Sequence, residues 1–214
     1  MMKIAATLVA TISQASANSI PINGRFPGWT AGVNRVDIEI ELFIDLLCAD
    51  CARGDPVFDE FMRSEWNGRT VAEQVGIKIT PFPLPYHAHA FEVAQLVPFW
   101  INKFIDSKGS DEAKMNAYKD FCFKNYNQVL NDNLGKADFQ ASWSKQVAAE
   151  FKIPEAEVAA AYGTDDKYHT SDATRAFWKY GAAKGVFGTP SAFVNGSKLD
   201  EVPTTVADWT ALLN

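Results

Sequence analysis

LLCADCARGDP, residues 46–56, sets Cys48 and Cys51 two residues apart at the start of a run with helical pattern. Such a pair is a metal clip, a structural bridge or a redox dithiol, and the surrounding chain decides among them. Zinc sites usually bring a second pair of ligands at matching spacing. There is no second C-x-x-C, and His87 and His89 lie beyond the next strand, so no metal site is expected. A disulfide across two residues closes almost no loop and removes little unfolded-state entropy. A dithiol at a helix start has a clearer physical rationale. Free backbone N–H groups and the helix dipole stabilise a thiolate on Cys48, and a thiolate, not a thiol, attacks disulfides. Cys51, one turn on and more buried, is then placed to resolve the mixed disulfide.

Upstream, Val36, Ile38, Ile40, Leu42 and Ile44 alternate with Asp37, Glu39 and Glu41. Period two predicts a strand with one well-buried face, and Phe43 breaks the polar set just before the cysteines. From Cys51 to about Trp66, Phe58, Phe61 and Met62 fall at helical spacing. Pro56 lies inside that helix, where it removes one backbone donor and should kink it. Val75, Ile77 and Ile79 predict a second strand, ended by prolines. Residues 86 to about 184 read as a run of helices, the first of them kinked or split at Pro98. The tail returns to strand in PSAFV, turns at Asn195-Gly196, continues in SKL and closes as a helix after Pro203 and Thr204. Asn-Gly between short apolar runs is a hairpin signal, because both residues accept positive φ. The order predicts an α/β core split by a long helical insertion.

The chain has 214 residues, 47% of them hydrophobic, enough for one sizeable core. Twenty-six acids against 20 bases give a net charge of -6, and the cations are scattered. Phosphate contacts need clustered cations, so nucleic-acid binding is not expected. At the N-terminus, Lys3 precedes an apolar stretch from Ile4 to Ile12, followed by Ala15-Ser16-Ala17. This pattern predicts a secretory signal peptide over residues 1–17 and a secreted or extracytoplasmic protein, not membrane-bound once cleaved. In an oxidising compartment cysteines can pair, and three cysteines in such a chain point to one working pair and one bystander.

The stretch Cys48-Ala49-Asp50-Cys51, with Pro56 five residues later, resembles the thioredoxin active-site helix. LFIDLLCADC is similar to the Phe-x-Asp-x-x-Cys-x-x-Cys approach of the DsbA-like branch of that superfamily. Far downstream, GVFGTPSAFVNG is similar to the branch's Gly-x-x-Gly-(Thr or Val)-Pro segment with its following strand and hairpin. The resemblance implies a thioredoxin-like fold with a large inserted α-helical subdomain: residues 18–85 the first part of the thioredoxin-like domain, 86–185 the insertion and 186–214 the second part. It implies thiol–disulfide exchange with protein substrates, with glutathione a further candidate partner and no cofactor beyond a redox-active Cys48–Cys51 disulfide. Cys48 would be the nucleophile and Cys51 the resolving cysteine. Pro190 would be the cis-proline facing them, and Thr189 would offer its backbone to an extended substrate. The chain departs from the pattern at Ala49-Asp50. A negative charge at Asp50 is expected to disfavour the thiolate and raise the Cys48 pKa, giving a less oxidising couple than DsbA. Two alternatives stay open: a binding module whose dithiol is idle, and a glutathione-linked isomerase or transferase on the same plan, which usually carries serine at the first cysteine.

Four lesser signals complete the reading. Cys122, between Phe121 and Phe123, reads as a buried small apolar residue. His87, His89 and His169 read as surface or capping residues. Glu41 is a candidate proton acceptor for Cys51 and equally a solvated strand residue, and Leu47 is either an apolar rim or core. Asn195-Gly196-Ser197 matches the N-glycosylation pattern.

Overall fold

A computed structural model of the chain describes residues 26–33, 36–105 and 112–213. The expected signal peptide lies outside the described residues. The chain opens on β1 (Trp29–Gly32) and β2 (Glu39–Ile44), followed by α1 (Ala49–Arg63). A small hairpin of β3 (Glu65–Trp66) and β4 (Arg69–Thr70) leads to β5 (Gly76–Pro81). Among the described residues, α2 (Ala90–Trp100), α3 (Glu112–Leu130), α4 (Lys136–Phe151), α5 (Glu155–Ala160) and α6 (Thr170–Ala183) follow. The hairpin β6 (Ser191–Val194) and β7 (Ser197–Lys198) and the closing helix α7 (Val206–Ala211) end the chain.

The main sheet runs β1-β5-β2-β6-β7. β2 and β5 are parallel, and the other pairings are antiparallel. A parallel pair needs a crossover; here α1 makes it, so the residues leaving β2 at the centre of the sheet enter a helix at once. That turn holds the two cysteines. The strand β1 is not among the elements expected from the sequence. It is four residues long and at the sheet edge, where periodicity has little room to show. Gly28 explains how it docks: its φ is 148°, and a Cβ there would lie 2.0 Å from the Ile79 carbonyl oxygen.

The sequence predicts one buried face for β2; both faces are buried. Ile40, Leu42 and Ile44 join the main core. Phe43, on the other face, packs with Phe82, Leu84, Val186 and Phe193 in a second cluster. Helix α6 covers that face: Gly181 lies so close to Phe82 and Phe43 that a Cβ would sit 2.6 Å from the Phe82 ring. α1 begins at Ala49 and stops at Arg63, three residues short of the expected end. Asn67-Gly68, with φ of 51° and 79°, is a second Asn-Gly turn and draws Trp66 into the small hairpin instead. Pro56 is accommodated within α1, and past Pro98 the α2 helix widens into a π-type turn over Ile101–Ile105. Asn195 (φ 48°) and Gly196 (φ 81°) form the expected hairpin turn.

The helical block shares its core with the sheet. One continuous apolar cluster runs from Ile40 and Ile77 to Trp100, Tyr118, Phe139 and Trp143. The buried Tyr118 hydroxyl donates to the Val93 carbonyl at 2.7 Å and accepts from Trp143 Nε1 at 3.3 Å, so its polar atom is satisfied inside the apolar block. At the other end, α7 lays Trp209 against Phe58 and Phe61 of α1, with ring centroids 5.0 and 5.5 Å apart. These contacts fix the axis of α1 from its far side.

Candidate active site

Cys48 is the N-cap of α1, with φ −78° and ψ 124°. Its N–H donates to the Asp45 carbonyl at 3.0 Å, closing the turn out of β2, and its carbonyl accepts the first helical bond from Ala52 N–H at 3.0 Å. The Cys48 sulfur therefore sits at the positive end of a 15-residue helix. Its Sγ donates to the Thr189 carbonyl at 3.4 Å, and the Thr189–Pro190 bond is cis. Residues 48 and 190, far apart in sequence, thus meet across the β2–β6 pairing, whose register sets Phe43 opposite Ser191.

Both cysteines are free thiols here, Cys48 5% exposed and Cys51 4%. Their environments push them apart. A hydrogen bond from Cys51 to the Cys48 sulfur pulls the Cys48 thiol down from 9.0 to about 6. Burial opposes this, the Thr189 hydroxyl and the Cys51 backbone assist it, and the Asp45 carboxylate opposes it last. Cys51 is pushed well above 9.0, first by burial and then by its bond to Cys48 and that sulfur's charge. A pair so divided has one ready nucleophile and one held proton.

No known family profile matches the sequence, and no curated protein matches it. Solved structures do. The chain is similar to Wolbachia pipientis alpha-DsbA1, with TM-score 0.63 and 13% identity over 86% of this chain and 87% of that one. It is similar to MdbA, a thiol-disulfide oxidoreductase from Corynebacterium diphtheriae, with TM-score 0.60 and 14% identity over 88% and 90% of the two chains. It is similar to the catalytic domain of Proteus mirabilis ScsC, with TM-score 0.57 and 15% identity over 88% of each. The chain has the DsbA-like thioredoxin fold.

Within this DsbA-like fold the predicted site residues divide. Cys48, Cys51, Thr189 and Pro190 converge. Asp50 is exposed and pairs with Arg53 one turn along, at the groove that Thr189 and Pro190 also line. The net displacement of the Cys48 thiol is downward, against the direction expected from Asp50, and the acid acting on it is Asp45. Leu47 is fully buried and belongs to the core, not a rim. Cys122 is fully buried, as expected of a small apolar residue.

Glu41 is on the wrong face for the proton role. β2 alternates, so Glu41 lies with Phe43 while Cys51 packs with Leu42 and Ile44. Glu41 is buried there and held by the Lys184 ammonium, which also lies 4.5 Å from the Phe193 ring centroid. Asn195 is committed as well: its Oδ1 accepts from Glu39 N–H at 2.8 Å and its Nδ2 donates to the Asp37 carbonyl at 3.1 Å.

Two pairs of residues were missed. Behind Cys51 lies a cavity of about 150 Å³, walled by Leu42, Ile44, Phe58 and Trp209, and Asp55 and Lys119 line it too. Asp55 is four residues beyond Cys51 on α1, a spacing that already places both on one helix face. Burial raises the Asp55 pKa, and the Lys119 ammonium paired with it opposes the rise. Lys119 comes from α3 and could not be placed from sequence. The second pair is Asp45 with His87. The Asp45 side chain is buried, and its carboxylate accepts from Leu47 N–H, Leu84 N–H and His87 Nδ1, each at 2.8 Å. His87 is neither a cap nor a free surface residue, whereas His89 and His169 do stand at the N-caps of α2 and α6.

Proposed function

We propose that the chain is a thiol–disulfide oxidoreductase that exchanges disulfides with protein substrates through Cys48 and Cys51, outside the cytosol. The observation that carries this reading is the divided dithiol. Cys48 is ionised near neutral pH at a helix start, with Cys51 protonated one turn behind it. A structural pair has no use for that split.

The chemistry runs as follows in the reducing direction. The Cys48 thiolate attacks one sulfur of a client disulfide; a Cys48–client S–S bond forms and the other client sulfur leaves as thiolate. Cys51 loses its proton and attacks the Cys48 sulfur, forming the Cys48–Cys51 disulfide and releasing the second client thiol. Two electrons pass from the dithiol to the client. The oxidising direction reverses each step. Asp55 is the side chain placed to take the Cys51 proton, since both line the same cavity and burial has made this carboxyl more basic.

The client approaches beside Thr189. A groove of about 670 Å³ there is lined by Gly188, Thr189, Pro190, Asp50 and Arg53. The Thr189 carbonyl faces the nucleophile, which supports an extended client segment running along this edge. A Cys48 pKa of about 6 lies above the value of about 3.5 for DsbA, so the couple is read as less oxidising than DsbA. The expected signal peptide supports an extracytoplasmic setting. Among the described residues no helix is long and apolar enough to cross a membrane.

Equilibration with glutathione buffers, followed by acid trapping and mass measurement, tests the reading. A two-electron transition confined to Cys48 and Cys51 is expected, and a Cys51→Ser variant is expected to hold clients in a mixed disulfide through Cys48. A dithiol that never oxidises across the glutathione range, with no trapped client, refutes it.

A further inference from the structure

The Asp45 carboxylate acts against the Cys48 thiolate, and no step of exchange uses it. Its side chain is fully buried and makes 2.8 Å bonds to two backbone N–H groups, on Leu47 in the turn before Cys48 and on Leu84 after β5. It therefore ties the dithiol turn to the β5–α2 loop. Its third partner is the His87 ring, 2.8 Å away. That ring is 17% exposed, whereas the Asp45 side chain is fully buried.

We propose that Asp45 and His87 form a positioning pair whose charge sets how readily Cys48 becomes a nucleophile, with His87 acting through Asp45. Resting on the dithiol reading, the inference deepens it by naming how the thiolate is regulated. When the imidazole carries a proton, the pair is neutral and the Cys48 charge forms against no opposing charge. When the imidazole loses that proton, the buried carboxylate stands alone beside the dithiol and the thiolate is disfavoured. By linkage the two protons are coupled: each makes the other's release easier or harder by the same factor.

Other titratable groups surround the pair, Tyr86 among them, edge-on to the His87 ring with centroids 4.9 Å apart. From α1, Cys48 and Cys51 face Asp45, and from α3 Cys122 feels its charge. None of these three can supply a cation. The groove on the open side of His87 carries His89, Glu92, Arg175 and Lys179. Of these, His89 stacks on Phe139 with centroids 3.9 Å apart, and Arg175 lies over the Phe91 ring at 5.6 Å.

Thiolate absorbance of the reduced protein against pH tests this in three forms. In wild type the thiolate is expected to appear over a wider pH span than one independent group gives. His87→Asn keeps an N–H donor for Asp45 but no charge, and should move the midpoint up by as much as about one pH unit, the scale of one nearby charge. Asp45→Asn removes the opposing charge and should move it down. Where a variant does not fold, as judged by far-UV circular dichroism, the wild-type curve decides. A wild-type curve fitting a single group overturns the proposal, as does a folded His87→Asn whose curve superimposes on wild type. Thiolate titration needs no client and no glutathione, so a protein that shows the coupling but fails to exchange disulfides would sink the oxidoreductase reading alone.

Discussion

The Cys51→Ala substitution separates the two causes that could hold Cys48 low, its partner thiol and its helix terminus. The Cys48 thiol falls from 9.0 to about 6, and the hydrogen bond from Cys51 is the largest cause. The whole drop corresponds to ~4 kcal/mol of preference for the thiolate, at ~1.4 kcal/mol per pH unit. A hydrogen bond to a charged group contributes ~1.5–3 kcal/mol. Removing the donor should therefore raise the midpoint by about one to two pH units. At pH 7 the thiolate fraction then falls from about nine-tenths to between about a half and a tenth. Cys51→Ser keeps an O–H donor of similar reach and should hold the midpoint within about half a pH unit of wild type. The assay is the pH profile of iodoacetamide alkylation of Cys48, read as a midpoint because nucleophilicity itself changes with pKa. A Cys51→Ala midpoint still near 6 refutes the reasoning, for the helix terminus alone would then hold the charge.

The same drop has a redox consequence whose sign can be worked out. A depressed folded-state pKa stabilises the reduced chain fully above the thiol's unfolded value of 9.0, and the benefit is lost as pH falls through about 6. At pH 7 it amounts to ~1.4 kcal/mol, or ~30 mV for two electrons. The disulfide form has no such group, so the couple is that much more oxidising than one built on an unperturbed thiol. Its potential should fall with pH about half as steeply between pH 6 and 9 as below pH 6.

Three further outcomes follow from side-chain placement. Asp55→Asn should slow release of the client from the mixed disulfide by ~10-fold or more in stopped-flow exchange, whereas Glu41→Gln should leave that step unchanged. Asp50→Ala should shift the Cys48 midpoint by less than about half a pH unit, because an exposed pair such as Asp50–Arg53 acts through water. Trp209→Ala should cost ~3–5 kcal/mol in urea unfolding, since it empties the contact between α7 and α1.

The legible parts of this chain were those written in local pattern. The alternation of β2, the spacing of Phe58, Phe61 and Met62 and the Asn195-Gly196 turn are signals within a few residues, and each marks an element that forms. The C-x-x-C at a strand–helix junction and the Thr189-Pro190 segment were readable as one site only through a resemblance, because nothing local says that residues so far apart meet. What sequence did not show depends on which element covers which. Glu41 reads from sequence as a proton acceptor or a solvated residue; α6 covers its face and Lys184 pairs with it. Lys119 pairs with Asp55 across two helices. Asp45 stood in plain view within the strand–cysteine junction, yet its meaning lies in His87, 42 residues away.

The ordering of effects on Cys48 also explains why the dipeptide between the cysteines was a poor guide. A side chain at position 50 points outward from the first turn of α1 and is solvated; its field reaches the sulfur through water, where screening is strong. Cys51 and Thr189 act in contact, and Asp45 acts from a buried position where the effective dielectric is low. Contact and burial therefore outrank sequence proximity. A consequence is that the low pKa belongs to the reduced dithiol as a unit: once Cys51 has joined Cys48 in a disulfide, the donor that stabilised the thiolate has become the bond partner. The preference for the reduced state is then built from the same two sulfurs that exchange electrons in the proposed reaction, and burial, Thr189 and last Asp45 adjust it from outside.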